Sequence, residues 1–257
     1  MSRPQATVLV PGLLCSARLY TEQIPALWRF GPVTVADHTR DHRLDHIASR
    51  ILASAPPRFA LVGLSMGGYL AFEVLRQAPE RVAALALLDT VAYPERPEQT
   101  ERRQVQIELA RQGRFAEVID LQFPLLVHPA RLQDEDLRGV VRLMAEEVGP
   151  EAFIRQQMAI MGRPDSRPDL PGIRCPTLVL VGDGDQLTPP DQAREMAAAI
   201  PGSRLVIVPG CGHLSTLERP QAVTEALVEW LRSTTVEATD AGEVAAEPRG
   251  PAGSGET

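Results

Sequence analysis

Six short apolar runs, each closed by Gly, Asp or Pro, recur along the chain and limit what it can fold into. They cover 7–10, 33–36, 59–62, 82–88, 177–181 and 204–208, and they are rich in Val, Leu and Ala. A strand that faces solvent on one side alternates apolar and polar residues. These runs do not alternate, which is the pattern of strands buried on both faces. Helical patterns separate most of them, over 44–53, 66–77, 191–200 and 216–231. Strand and helix in alternation predict an α/β fold with a mainly parallel sheet of about six strands flanked by helices. The alternation lapses over 90–167, where charged helical patterns such as 102–111 and 134–147 occur with no convincing strand. The expected organisation is a core of 1–89 and 168–232, a helical cap of 90–167 inserted after the fourth predicted strand, and a disordered tail of 233–257 that is rich in Ala, Gly, Glu and Thr. Two helix starts are legible: Ser215 to Glu218 has capping-box spacing, and Pro189 and Pro190 fall where a first turn tolerates proline.

A length of 257 residues suffices for one sizeable core, and 44% hydrophobic with 23% charged residues is the balance of a soluble protein. A net charge of −7 argues against nucleic acid or an anionic membrane surface as the main partner. All 26 basic side chains are Arg, so Schiff-base and P-loop lysine chemistry are excluded. Cys15, Cys175 and Cys211 are odd in number and widely spaced, with no disulfide framework and no metal-binding spacing. With no signal-like or membrane-length apolar run, a cytoplasmic protein without stable membrane association is expected.

The sharpest chemical signal is Val-Gly-Leu-Ser-Met-Gly-Gly over 62–68, a G-x-S-x-G pattern centred on Ser65. It lies between a buried strand and an apolar helix, the context in which a sharp turn lifts a serine hydroxyl clear of the sheet. Such a nucleophile needs a base. Of the five histidines, His213 sits in the loop after the last strand, at the carboxyl edge of the sheet where Ser65 also falls. The base needs an acid to fix its tautomer and stabilise its charged form. Three aspartates end strands at this edge. Asp185 is the first candidate and Asp89 the second, while Asp183 directly follows its strand and suits a turn-shaping role.

The chain order Ser65, Asp185, His213 resembles that of the α/β-hydrolase superfamily, and the resemblance extends from residue 7 to about 231. The segment 8–13, Val-Leu-Val-Pro-Gly-Leu, is similar to the family's oxyanion segment, with Pro11-Gly12 where His-Gly is usual. The resemblance implies an oxyanion hole built from the N–H groups of Leu13 and Met66. The chain departs from the family at its start, where only six residues precede the first run, so the opening hairpin is expected to be absent and six main strands to stand in place of eight. Within the family, 63–68, the mid-chain cap and Gly212-His213 resemble carboxylesterases and 3-oxoadipate enol-lactonase-like enzymes. The implied function is serine hydrolysis of a small to medium carboxylic ester or lactone through an acyl-enzyme, with no metal or organic cofactor. Acyl transfer or C–C bond hydrolysis by the same triad and a non-catalytic ligand-binding protein are the competing readings. The oligomeric state is not legible.

Other features invite weaker readings. Asp37-His38, Asp41-His42 and Asp45-His46 suggest a metal site, but a solvated connection is the expectation, with His38 still within reach of the pocket. Residues 153–161 place Met and Ile at spacings that suit either an apolar inner face of the cap, which would predict an apolar substrate part, or ordinary helix packing. Arg155 and Arg163 are candidates to meet a substrate carboxylate, although surface ion pairing is the commoner use of arginine.

Overall fold

The computed structural model describes residues 5–243. Its strands are β1 (Thr7–Val10), β2 (Val33–Val35), β3 (Phe59–Leu64), β4 (Val82–Leu88), β5 (Thr177–Gly182) and β6 (Arg204–Val208), all paired in parallel. Each lies where the apolar runs predict it. The spatial order is β2-β1-β3-β4-β5-β6. From β1 the chain steps outward to β2 and then returns across β1 to β3, so the direction of winding reverses between β1 and β3. The loops that leave these two strands diverge to opposite faces and open a crevice at their carboxyl ends.

Helices α1 (Ile24–Leu27), α2 (Leu44–Ser54) and α3 (Met66–Gln77) accompany the first three strands. Three helices lie between β4 and β5: α4 (Pro97–Arg111), α5 (Phe115–Leu126) and α6 (Glu135–Met161). Helix α6 is kinked at Gly149-Pro150, where Gly149 takes φ 78° and the proline has no N–H to give to the preceding turn. Helix α7 (Pro190–Ala199) follows β5, and α8 (Ser215–Glu218) with α9 (Pro220–Glu243) closes the fold. The single helix expected over 216–231 is therefore two, because Pro220 interrupts the ladder and starts α9 instead. Helix α9 also runs past residue 232 to Glu243, where a disordered tail is the expectation; residues 244–257 lie outside the described residues.

Two apolar cores hold the sheet, one on each face. Val8, Leu61, Leu85 and Val179 point to one side, against α2 and α3. Leu9, Val62, Leu88 and Leu180 point to the other, against Leu227 and Trp230 of α9. Burial on both faces of the four central strands explains the absence of alternation there, whereas the edge strands β2 and β6 are only partly buried, because each has a neighbour on one side alone. A third cluster, with Val118, Ala145 and Phe153, packs α5 on α6 and meets the sheet through Leu14 in the loop after β1. Among the described residues no helix is long and apolar enough to cross a membrane.

Candidate active site

Ser65 occupies the turn between β3 and α3 with φ 55° and ψ −114°, a conformation costly for a residue with a side chain. Its surroundings impose it. The Ser65 N–H donates to Leu88 O (3.0 Å), and its carbonyl accepts from Gly68 N (2.9 Å) and from Thr90 Oγ1 (2.8 Å). The turn closes so tightly that side chains are excluded beside it. A Cβ at Gly63 would lie 2.3 Å from Gly67 O, and one at Gly67 would lie 2.0 Å from Val10 O. The glycine pattern is thus a packing requirement, and its product is a half-exposed serine hydroxyl at the sheet edge.

His213 is brought to Ser65 by the loop after β6. Its Nε2 lies 2.8 Å from Ser65 Oγ, and its Nδ1 lies 2.8 Å from Asp185 Oδ2. Asp185 is itself fixed by the turn after β5: its carboxylate accepts from Leu187 N (2.8 Å), Thr188 N (2.9 Å) and Thr188 Oγ1 (2.5 Å). Both side chains are buried. Burial opposes a charged imidazole at His213, but the Asp185 charge and hydrogen bond outweigh it, so the pKa is raised. Burial likewise opposes the Asp185 carboxylate, and the imidazole and the Thr188 donors overcome it, so its pKa is lowered. The pair can therefore hold a proton on the His213 imidazole beside an ionised Asp185.

The other two aspartates stand apart from the imidazole. Asp89 is buried at the end of β4 and accepts from Gly182 N (3.1 Å), Ser215 N (3.3 Å) and Ser215 Oγ (2.5 Å). It ties β4 to β5 and to the histidine loop, and burial together with the nearby Asp185 charge raises its pKa. Asp183 accepts from Cys211 N (3.1 Å) and shapes the turn, as its position suggests. Ser215 and Glu218 do not form the capping box that their spacing predicts. Ser215 gives its hydroxyl to Asp89, and Glu218 turns back to accept from Gly212 N (2.9 Å) and His128 N (2.8 Å).

Leu13 and Met66 flank the serine. Met66 follows it at the start of α3, and a Cβ on Gly12 would meet Ser65 Cβ at 3.3 Å. Among the described residues, neither Leu13 N–H nor Met66 N–H donates to the protein. Two free donors beside a serine hydroxyl can hold a developing oxyanion. The loop that carries Leu13 is held from outside by Gln156, which sequence reasoning passes over, and by His38. Gln156 of α6, wholly buried, accepts from Leu14 N (3.1 Å). Its amide nitrogen lies 3.0 Å from His38 Nε2, which in turn lies 2.9 Å from Gly12 O. His38 is therefore a prop behind the loop and does not line the cavity, while His42 and His46 are exposed. The available signal for Gln156 is a Gln-Gln pair on the otherwise apolar buried face of α6.

Ser65 and His213 open into a cavity of about 660 Å³. Its apolar lining, including Leu13, Leu64, Val91, Ile160 and Leu214, surrounds the serine. The Met and Ile spacing of 153–161 does not supply an apolar inner face. Ile160 alone of that stretch reaches the cavity, Phe153 and Ala159 are spent on the core, and Met158 is exposed. Arg155 donates to Thr39 O (2.8 Å), and Arg163, which does line the cavity, pairs with Glu95. Cys15 is no rival nucleophile, because burial pushes its thiol up to about 12, and burial raises Cys211 as well.

Residues 8–226 match the alpha/beta hydrolase family. A pimeloyl-[acyl-carrier protein] methyl ester esterase from Edwardsiella ictaluri is 27% identical over 86% of each chain. Among solved structures, a thermophilic esterase from Thermogutta terrifontis is similar with a TM-score of 0.83 and 30% identity, covering 91% of this chain and 92% of the other. The enol-lactonase from Burkholderia xenovorans gives 0.81 at 25% identity, covering 90% and 92%. With the family matched over most of its length, the chain belongs to the alpha/beta hydrolase family.

Proposed function

We propose that this chain is a serine hydrolase that cleaves carboxylic esters or lactones through an acyl-enzyme. The observation that carries the reading is the unbroken relay from Ser65 Oγ through His213 to the Asp185 carboxylate, opening into the cavity. His213 takes the Ser65 proton as Oγ attacks the carbonyl carbon, and Asp185 stabilises the imidazolium. The carbonyl oxygen, now negative, accepts from Leu13 N–H and Met66 N–H. His213 returns the proton to the leaving oxygen, and the acyl group remains on Ser65. Water, deprotonated by His213, then attacks the acyl carbon, and Ser65 recovers its proton. In this reading residues 90–167 act as a cap on a core of 1–89 and 168–232, and they close the cavity over the serine. The relatives named as esterases and an enol-lactonase support the same reaction class.

The test is labelling with a fluorophosphonate, alongside turnover of p-nitrophenyl esters of increasing length. Wild type should label and turn over, and Ser65→Ala should do neither. Labelling that persists in Ser65→Ala places the nucleophile elsewhere. Product analysis with an alcohol acceptor present separates hydrolysis from transfer.

A further inference from the structure

The cavity has a second, polar wall. On α4 the positions 96, 99, 102, 103 and 106 fall on one helix face, and all five line the cavity as Arg, Gln, Arg, Arg and Gln. A helix that only roofed an apolar pocket would present apolar side chains there. The arginines of this wall are not equivalent. Arg103 pairs with Glu95 (2.7 Å) and donates to Gln157 Oε1 (2.6 Å), and Arg163 shares the same Glu95. One carboxylate thus serves two cations. Arg96 and Arg102, both exposed, form no ion pair among the described residues. Asp191 and Glu195 of α7 also line the cavity, but they engage Arg194 (3.9 Å) and the Tyr93 hydroxyl respectively, not an α4 arginine. Arg29, Arg58 and Arg174 form no ion pair among the described residues either, so what sets Arg96 and Arg102 apart is that both line the cavity into which Ser65 opens.

We infer that Arg96 and Arg102 form a subsite for an anionic group, carboxylate or phosphate, carried on the substrate at the end remote from the bond that is cleaved. The inference rests on the serine-hydrolase reading and narrows its substrate class. The planar guanidinium offers a fork of donors matched to carboxylate and phosphate oxygens. The substrate that fits both walls has a carbonyl at Ser65, a short apolar middle against Leu13, Val91 and Ile160, and a negative charge at α4.

The experiment compares methyl esters of matched length that end in a methyl group, a carboxylate or a phosphonate, with four to eight carbons in the acyl chain. Wild type should prefer a charged ester over the neutral one in kcat/KM, and the preferred anion identifies the group. In the double variant Arg96→Gln, Arg102→Gln that charged-to-neutral ratio should fall about tenfold, as expected for two partly exposed charge pairs acting together. The preference in wild type should also weaken as salt rises. Equal kcat/KM for charged and neutral esters, or a preference that survives the double substitution, overturns the subsite and leaves the hydrolase intact. Ser65→Ala separates the two ideas further, since the same ester pairs read binding by thermal shift without turnover. A larger shift with the charged ester, lost on replacing both arginines, supports the subsite whatever the chemistry at Ser65. Equal shifts refute it.

Discussion

Gln156→Leu tests whether the helical segment between β4 and β5 sets the geometry of the oxyanion loop. The replacement is close in volume and leaves the helix intact, but it removes the acceptor for Leu14 N–H and the amide beside His38. Leu14 is buried and already holds φ 58°, so its N–H loses its partner in a loop with little freedom to find another. A buried donor left unpaired costs about 1–3 kcal/mol. For a chain of this size each kcal/mol lowers Tm by roughly 2–4 °C, so a fall of several degrees is expected. The chemical consequence is separate. Leu13 N–H is one peptide away, and complete loss of one oxyanion donor costs on the order of 3 kcal/mol, or about a hundredfold in kcat. Displacement without loss should give about a tenfold fall in kcat with KM changed less than about threefold, because the donor matters most when charge develops. Gln156→Glu retains an acceptor for Leu14 N–H and should recover most of kcat while still lowering Tm. The assay is ester turnover beside a thermal melt of each variant. A melt lowered as expected with kcat untouched would show that the tie is structural only.

The acid limb of kcat/KM reports the free His213, whose pKa is raised above the ordinary 6.5 by Asp185, so its midpoint should lie above 6.5 and a midpoint at or below it contradicts the coupling. By the same shift, the ion pair's contribution to folding is whole below pH 6.5 and fades as pH rises through the raised value, which melts at stepped pH can follow. Asp185→Asn should lower kcat by about 10³ to 10⁴-fold, since the amide favours the wrong imidazole tautomer. Asp89→Asn should cost far less because no hydrogen bond joins Asp89 to His213; equal losses would make Asp89 the acid. Gly67→Ala puts a Cβ 2.0 Å from Val10 O, an overlap between two backbones that no rotamer relieves. A loss on the order of 3 kcal/mol is expected, read as a melt lowered by several degrees or as failure to accumulate folded protein.

The central strands were legible because burial on both faces writes an unbroken apolar run, and the boundaries of β1 and β4 coincide with theirs; β6 was placed equally well by its β-branched run although it is a partly exposed edge strand. Ser65 and His213 were legible for a related reason: each follows a strand at the sheet edge, so placing the strand places the residue. Asp185 was harder. Asp89 also ends a strand there, and the two part only in their partners: Asp185 meets His213 Nδ1, while Asp89 is taken up by Ser215 and Gly182. The spacing does carry a signal, since an aspartate followed three residues later by threonine suits a turn of this kind. The polar wall of α4 was missed because a charged helix face ordinarily faces water, and nothing local marks a face that points into a cavity. Ser215 to Glu218 shows the opposite failure. A local pattern satisfied every rule for a helix cap, yet long-range partners at Asp89, Gly212 and His128 claimed both side chains.

Those long-range bonds give the segment between β4 and β5 more than a covering role. Leu126 O, at the end of α5, accepts from both His213 N and Leu214 N at 3.1 Å. Glu218 bridges Gly212 N to His128 N just beyond α5, and Gln156 with Arg155 of α6 holds the Leu14 and Thr39 backbones. Both loops that Ser65 depends on are therefore tied to the segment above them. A rigid swing of α5 and α6 away from the sheet would break hydrogen bonds to the histidine loop and the oxyanion loop together, several of them buried and each costly to leave unmade. Helix α4 carries no such bond to either loop. Its ties run within the segment: Arg103 to Gln157 and Glu95, Gln106 to Gln157 and Gln122, and Gln99 to Arg163. If the cavity widens to admit a substrate, α4 is the wall that can give way while the proton relay stays assembled, and it is the same wall that presents Arg96 and Arg102.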